Sequence, residues 1–181
     1  MSKLFVISGS SGVGKGTVIN EFMHKHPDFK LSISCTTRSM REGEKDGVNY
    51  FFLSPDEFKK CIDNNEFLEW AEFSENCYGT KKEFVEKCLS KGENLILEID
   101  TKGALNVKKL MPEAVLIFIA PPSLEELEAR LRGRHTETEE AIQKRLASIK
   151  SEIENSKYYD YVVINDTVEN AVKRIEKITE A

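Results

Sequence analysis

The stretch Gly9-Ser10-Ser11-Gly12-Val13-Gly14-Lys15-Gly16-Thr17 decides how this chain is read. Gly9 and Gly14, with Lys15 directly after, fit the opening of the phosphate-binding loop G-x-x-x-x-G-K. The run before it, Leu4-Phe5-Val6-Ile7, reads as a buried strand, and Val18, Ile19, Phe22 and Met23 after it recur at the spacing of one helix face. Strand, glycine loop and helix together form the context in which that pattern carries meaning. Glycine lets the backbone turn with positive φ and point its N–H groups at an anion. Those donors and the positive end of the helix hold a polyphosphate, and Lys15 adds a mobile charge for its outer phosphates. The expected phosphate-binding residues are therefore Gly9, Ser10, Ser11, Gly12, Val13, Gly14, Lys15, Gly16 and Thr17. The hydroxyl that follows the lysine in many such loops, a Mg²⁺ ligand there, is replaced by Gly16, with Thr17 one place later.

The bulk properties narrow the class. A chain of 181 residues is one domain, or a core with inserts, and is long enough to bury a real core. A formal charge of −5 argues against general nucleic-acid or membrane binding, so an anion site must come from locally gathered arginines. Cys35, Cys61, Cys77 and Cys88 lack C-x-x-C spacing and read as reduced thiols in a cytoplasmic setting. No leader and no membrane-length apolar run is expected. His24, His26 and His135 share no metal-binding spacing, so no protein metal site is expected.

Five apolar runs can serve as parallel strands: 4–8, 31–34, 95–99, 115–120 and 161–164. Helical patterns separate most of them, as a doubly wound α/β sheet requires. Capping boxes are expected at Ser54-Pro55-Asp56-Glu57, Thr80-Lys81-Lys82-Glu83 and Ser123-Leu124-Glu125-Glu126. The last helix carries the stripe Val168, Ala171, Val172, Ile175 and Ile178. Residues 36–90 are too long for a crossover and are expected to form a small mixed α/β insert. Trp70 within it is expected in the core. The polar, arginine-rich stretch 130–149 is expected to act as a lid hinged at Gly133, running into a helix with the stripe Ile142, Leu146, Ile149 and Ile153. The core is then residues 1–35, 91–129 and 150–181.

The chain resembles the guanylate kinases. The resemblance extends beyond the glycine loop to Ser32-Ile33-Ser34-Cys35-Thr36-Thr37-Arg38 with Arg41, Gly47-Val48-Asn49-Tyr50-Phe51-Phe52 and Glu69-Trp70-Ala71-Glu72-Phe73. It continues through Tyr78-Gly79-Thr80, Glu98-Ile99-Asp100-Thr101-Lys102-Gly103, Arg130-Leu131-Arg132-Gly133-Arg134, 136–140, Lys144-Arg145-Leu146 and Ile164-Asn165-Asp166. It implies a P-loop nucleotide-kinase fold: a parallel five-stranded sheet flanked by helices, an acceptor-nucleotide insert and a lid. It also implies transfer of the γ-phosphoryl of ATP to GMP and to dGMP, with Mg²⁺ arriving on ATP. The partners are then ATP and GMP, with no nucleic acid or membrane, in a monomer or homodimer working in the cytoplasm.

The resemblance assigns roles. Arg38 and Arg41 bind the GMP phosphate, since planar guanidiniums grip a dianion in bidentate fashion, and the hydroxyls of Tyr50 and Tyr78 complete the clamp. Glu69 and Asp100 face the guanine N1 and N2 donors, while Ser34 and Thr80 serve O6 or N7. A site built on polar pairing rejects the wrong base by up to ~10⁴-fold or more. Glu98 matches an acidic position with a structural or metal-water role. Lys15, Arg130, Arg134 and Arg145 form the charge-bearing catalytic set, with Arg132 left to solvent, and Asn165 is placed at the adenine of ATP. Phosphoryl transfer to an anionic oxygen asks mainly for positioning and neutralisation, not a strong base. The other readings are a non-catalytic guanylate-kinase-like module that binds phosphoproteins, and a kinase for another nucleoside monophosphate. A switch GTPase lacks support, because no N-K-x-D segment is present.

Overall fold

The computed structural model describes residues 2–10, 12–73, 75–133 and 138–180, and the backbone alone at 130 and 131. In chain order the elements begin β1 Leu4–Gly9, α1 Lys15–Lys25, β2 Phe29–Leu31, β3 Cys35–Thr36, β4 Phe51–Phe52 and α2 Pro55–Asp63. Next come β5 Phe67–Phe73, β6 Asn76–Lys81, α3 Lys82–Ser90, β7 Asn94–Glu98 and α4 Thr101–Leu110. The last are β8 Val115–Ala120, α5 Leu124–Gly133, α6 Glu139–Asn155, β9 Tyr161–Ile164 and α7 Val168–Thr179. A five-stranded parallel sheet runs β2-β7-β1-β8-β9, and a four-stranded mixed sheet runs β4-β3-β6-β5. The chain divides into two units, one of Met1–Phe5, Asp28–Leu97 and Lys102–Ala114, the other of Val6–Pro27, Glu98–Thr101 and Val115–Ala181.

In the first unit β2 lies parallel to β7, Phe29 opposite Asn94, and the Phe29 ring sits 5.8 Å from that of Phe5. The strand therefore ends at Leu31, earlier than the expected 31–34. Its final bond is Ser32 N–H to the Ile96 carbonyl, after which Ser34 offers its carbonyl to Phe51 N–H. The chain is changing sheets there. The buried Phe29 anchors the strand, and β3 belongs to the small sheet.

That sheet has two unlike faces. Cys35, opposite Phe51, points with Phe67 toward Phe58 and Cys61 of α2, and Phe51, Leu53 and Cys77 fill around them. Helix α2 starts as expected: Ser54 Oγ accepts from Glu57 N–H, Glu57 accepts from Ser54 N–H, and Pro55 opens the first turn. The box expected at Thr80 is absent. The residue flanking the first turn of α3 is Lys81, with no side-chain cap, because α3 starts at Lys82 and Thr80 still belongs to β6, where its hydroxyl donates to Glu69.

Trp70 also departs from expectation: it is 44% exposed while Glu69 is buried at 8%. Strand β5 is the edge of the small sheet, and a bulge within it decides which face Glu69 takes. Phe67 pairs with Lys81 but Glu69 with Thr80, so one extra residue is accommodated and the alternation of faces shifts. Glu69 sits beside Thr80 on the Thr36 face, while Trp70, opposite Gly79, lies on the Cys35 face with its ring 6.5 Å from that of Phe58 and stays exposed because β5 is the edge of the sheet.

In the second unit the residues 116–119 of β8 are fully buried, as a strand covered on both faces requires. Strand β9 runs parallel to it with Tyr161 opposite Ile117. Helix α1 buries Val18, Ile19 and Phe22, and α7 buries Ala171, Val172 and Ile175. Leu127 of α5 packs with Ile142, Leu146 and Ile149 of α6, and Ser123 Oγ accepts from Glu126 N–H at the start of α5. The Arg132 side chain is 40% exposed, as expected of a solvated residue, and is also ion-paired: it donates to Glu128 from Nε and Nη2 at 2.9 and 2.7 Å and to both oxygens of Glu139. That pairing holds the Glu139 carboxyl down to about 2. The four cysteines are free thiols. Among the described residues no helix is long and apolar enough to cross a membrane.

Candidate functional site

In the second unit, the turn between β1 and α1 places Gly14 at φ +86°, the left-handed region that a side chain strains. Gly14 flanks the first turn of α1, and among the described residues no side chain caps that turn. The opening N–H groups of the helix are thus left for an anion. The Ser10 hydroxyl is buried and meets no partner among the described residues. Such a group is costly to leave unpaired unless a ligand satisfies it. Lys15 Nζ lies 3.9 Å from Glu98 Oε1, both partly exposed, so the carboxylate holds the lysine beside the loop. Asn165, at the end of β9, donates from Nδ2 to the Val13 carbonyl at 2.7 Å and props the loop from beneath, while its buried Oδ1 has no partner among the described residues. Ser8 Oγ donates to the Asp100 carbonyl at 3.3 Å, fixing the turn that carries Asp100.

In the first unit the remaining candidates gather on one face of the small sheet. The pairings Thr36–Tyr78, Thr36–Phe52 and Glu69–Thr80 put these residues on the same side, opposite the Cys35 face. Thr80 Oγ1 donates to Glu69 Oε1 at 2.7 Å, so the buried carboxylate is held in one orientation and the hydroxyl proton is already committed. The Tyr50 ring stands 6.1 Å from that of Tyr78 and 5.8 Å from that of Phe52. The Arg38 guanidinium lies 5.4 Å from the Tyr50 centroid and 5.7 Å from that of Phe52. Residues 34–38 carry Ser34 and Arg38 on either side of β3, and Arg41 opens the exposed turn that follows.

Of the other candidates, Arg145 sits on α6, partly buried beside Leu146. Ser11 and Arg134 lie outside the described residues, as does the side chain of Arg130. One residue that reading the sequence passed over is Glu44. It pairs with Arg38 through both oxygens at 2.8 and 3.0 Å, and Oε2 also accepts from Arg41 N–H at 2.8 Å. The hydrogen bonds from Arg38, and then from the Arg41 backbone, hold its carboxyl below the usual carboxylate range, while Glu44 raises the Arg38 guanidinium. The signal for it was a carboxylate in a glycine turn three residues after Arg41.

A parallel sheet whose first strand feeds a glycine loop and an uncapped helix, with a lysine in the first turn, defines the class as the P-loop nucleotide-binding proteins. Comparison with known proteins narrows this. The guanylate kinase family model matches residues 1–181. A guanylate kinase of Bacillus cereus is 55% identical over 176 residues, covering 97% of this chain and 86% of that protein. One of Caldanaerobacter subterraneus is 54% identical over 175 residues, covering 97% and 85%. The crystal structure of guanylate kinase from Anaplasma phagocytophilum superposes with a TM-score of 0.79 at 33% identity, covering 99% of this chain and 85% of that one. The chain belongs to the guanylate kinase family.

Proposed function

We propose that this chain moves the γ-phosphoryl group of ATP to GMP, giving ADP and GDP in the purine nucleotide metabolism of the cytoplasm. The observation that carries the reading is the sheet face on which the buried Glu69–Thr80 pair shares a side with Tyr78, beside Tyr50 and Arg38. A carboxylate held by a hydroxyl suits the N1 and N2 donors of guanine. Adenine would instead bring a lone pair against it. The arginine and tyrosines suit a phosphate dianion on the same acceptor. Residues 36–90 serve as the GMP-binding insert, with Arg41 as a ligand of the phosphate, and Ser34 and Asp100 are further ligands of the guanine. Residues 130–149 serve as the lid.

Transfer proceeds by positioning and neutralisation. The acceptor phosphate oxygen is already anionic, so no base is needed to activate it. The uncapped start of α1 and the Ser10 hydroxyl bind the donor phosphates. Lys15, Arg130, Arg134 and Arg145 offset the charge that develops between donor and acceptor. Asn165 keeps the loop open through Val13, and its Oδ1 is an acceptor suited to the adenine amine.

The loop also fits a Mg²⁺ ion carried by ATP. Glu98 and Thr17 are hard oxygen donors at the loop, and no metal-binding group of three acidic, His or Cys side chains occurs among the described residues. Glu98 and Thr17 would hold such an ion beside the phosphates, and it would screen the polyphosphate charge. A nucleotide panel tests the function. ATP with GMP should give ADP and GDP, with little turnover of AMP, CMP or UMP. Equal turnover of AMP would remove Glu69 as the guanine reader, and binding of GMP without turnover would leave a non-catalytic module.

A further inference from the structure

We propose that Glu44 is a positioning residue that presets Arg38, leaving one fork of its guanidinium open as the seat of the acceptor phosphate. This rests on the reading of Arg38 as the phosphate ligand of GMP. A guanidinium has five N–H donors. In Arg38, Nη1 gives its two, to Glu44 Oε2 at 3.0 Å and to the Ser39 carbonyl at 2.8 Å, and Nη2 gives one to Glu44 Oε1 at 2.8 Å. What remains is Nε–H and the second Nη2 hydrogen, which meet no partner among the described residues. Those two are the side-on pair that matches two oxygens of a phosphate. The carboxylate therefore occupies the far end of the guanidinium and leaves the near edge to the ligand, so both anions can be held at once.

The surroundings fix this arrangement in three further ways. The rings of Tyr50 and Phe52, 5.4 and 5.7 Å from the guanidinium carbon, restrict its plane. Thr36 Oγ1 accepts from Arg38 N–H at 3.1 Å, tying the backbone that carries the side chain. Glu44 is itself placed by a turn in which its N–H bonds the Arg41 carbonyl at 3.1 Å, with Gly43 at φ +85°. Glycine at the third position is what a type II turn requires. Because Oε2 also takes Arg41 N–H at 2.8 Å, one carboxylate joins both phosphate-binding arginines into a single unit. With the Arg38 and Glu44 side chains only 14% and 19% exposed, the pair is shielded more than an ordinary surface bridge.

The test compares wild type, Glu44→Gln, Arg38→Lys and the double variant by steady-state kinetics and by calorimetry with GMP and with guanosine. Glu44→Gln should raise KM for GMP ~10- to 100-fold, the usual cost of losing an orienting outer partner, with kcat at saturating GMP changed less than about twofold. Guanosine has no phosphate, so its affinity should stay the same in every variant. Since Glu44 acts through Arg38, the double variant should bind GMP no more weakly than Arg38→Lys alone. Gly43→Ala, which disturbs the turn and leaves the carboxylate in place, should raise KM for GMP in the same direction by less. The proposal is overturned if Glu44→Gln leaves KM unchanged, weakens guanosine equally, or multiplies with Arg38→Lys. If Arg38→Lys itself leaves GMP affinity unchanged, the acceptor reading falls and the proposal with it.

Discussion

Helices α1 and α2 begin in opposite ways. Helix α2 closes its own first turn with Ser54, Glu57 and Pro55, whereas α1 starts at a left-handed glycine with no side-chain cap and no acidic residue in its first turn. A cap is worth about 1 kcal/mol, so its omission at α1 costs stability in the ligand-free protein. The difference teaches that a helix start can be assigned either to folding or to binding. The donors that α2 spends on itself are the ones α1 leaves open.

Four substitutions probe that contrast. Lys15→Ala removes the cation of the open start and should lower kcat ~10²-fold or more, with little change in thermal stability; near-normal turnover would detach Lys15 from the chemistry. Gly14→Ala forces a side chain into φ +86°, where its Cβ would lie 3.1 Å from Asn165 Nδ2. It should cost about 1–2 kcal/mol and raise KM for ATP while leaving that for GMP alone, as read by chemical denaturation and kinetics.

Ser54→Ala should do the reverse, costing about 1 kcal/mol in denaturation with both KM values unchanged. Its pH dependence has a definite sign. Hydrogen bonds from the Ser54 backbone and then its hydroxyl lower the Glu57 carboxyl. The stabilisation is thus present above the unfolded value of ~4.3 and lost as pH falls through the folded one. Amides at the start of α2 should lose hydrogen-exchange protection in acid, while those at the start of α1 should gain it only when ATP is added. The smallest effect is expected of Gly16→Ser. Its Cβ would meet Glu98 Oε1 at an ordinary 3.8 Å, and the change should add about 0.5 kcal/mol of helix preference with kcat unaltered.

Local signals served the second unit best. The run 115–120 and the stripe of α7 are strong patterns in single elements, and the structure repeats both. The residues that misled were those answering to distant partners. Phe29 rather than Ser34 belongs to the parallel sheet because β7 and Phe5 lie against it. Thr80 reads as a helix cap in isolation, yet its pairing with Glu69 of the neighbouring strand keeps it in the sheet. Trp70 does take the core-facing side, against Phe58, but stays 44% exposed because its strand is the edge of the small sheet, which no local pattern announces. Glu44 escaped notice for a related reason. A lone acid in a charged loop means nothing until the turn brings it against Arg38.

The extra residue in β5 has a consequence for how the acceptor side can change. The aim of Glu69 depends on pairing register as well as on side-chain identity, since a bulge between Phe67 and Glu69 takes up one residue. Straightening the bulge with Leu68 kept would pair Leu68 with Thr80 and turn the carboxylate to the Phe67 face, whereas deleting Leu68 would leave Phe67 and Glu69 adjacent, on opposite faces, and preserve the Glu69–Thr80 pairing. The bulge thus stores a spare residue whose loss the strand can absorb without re-aiming its acid.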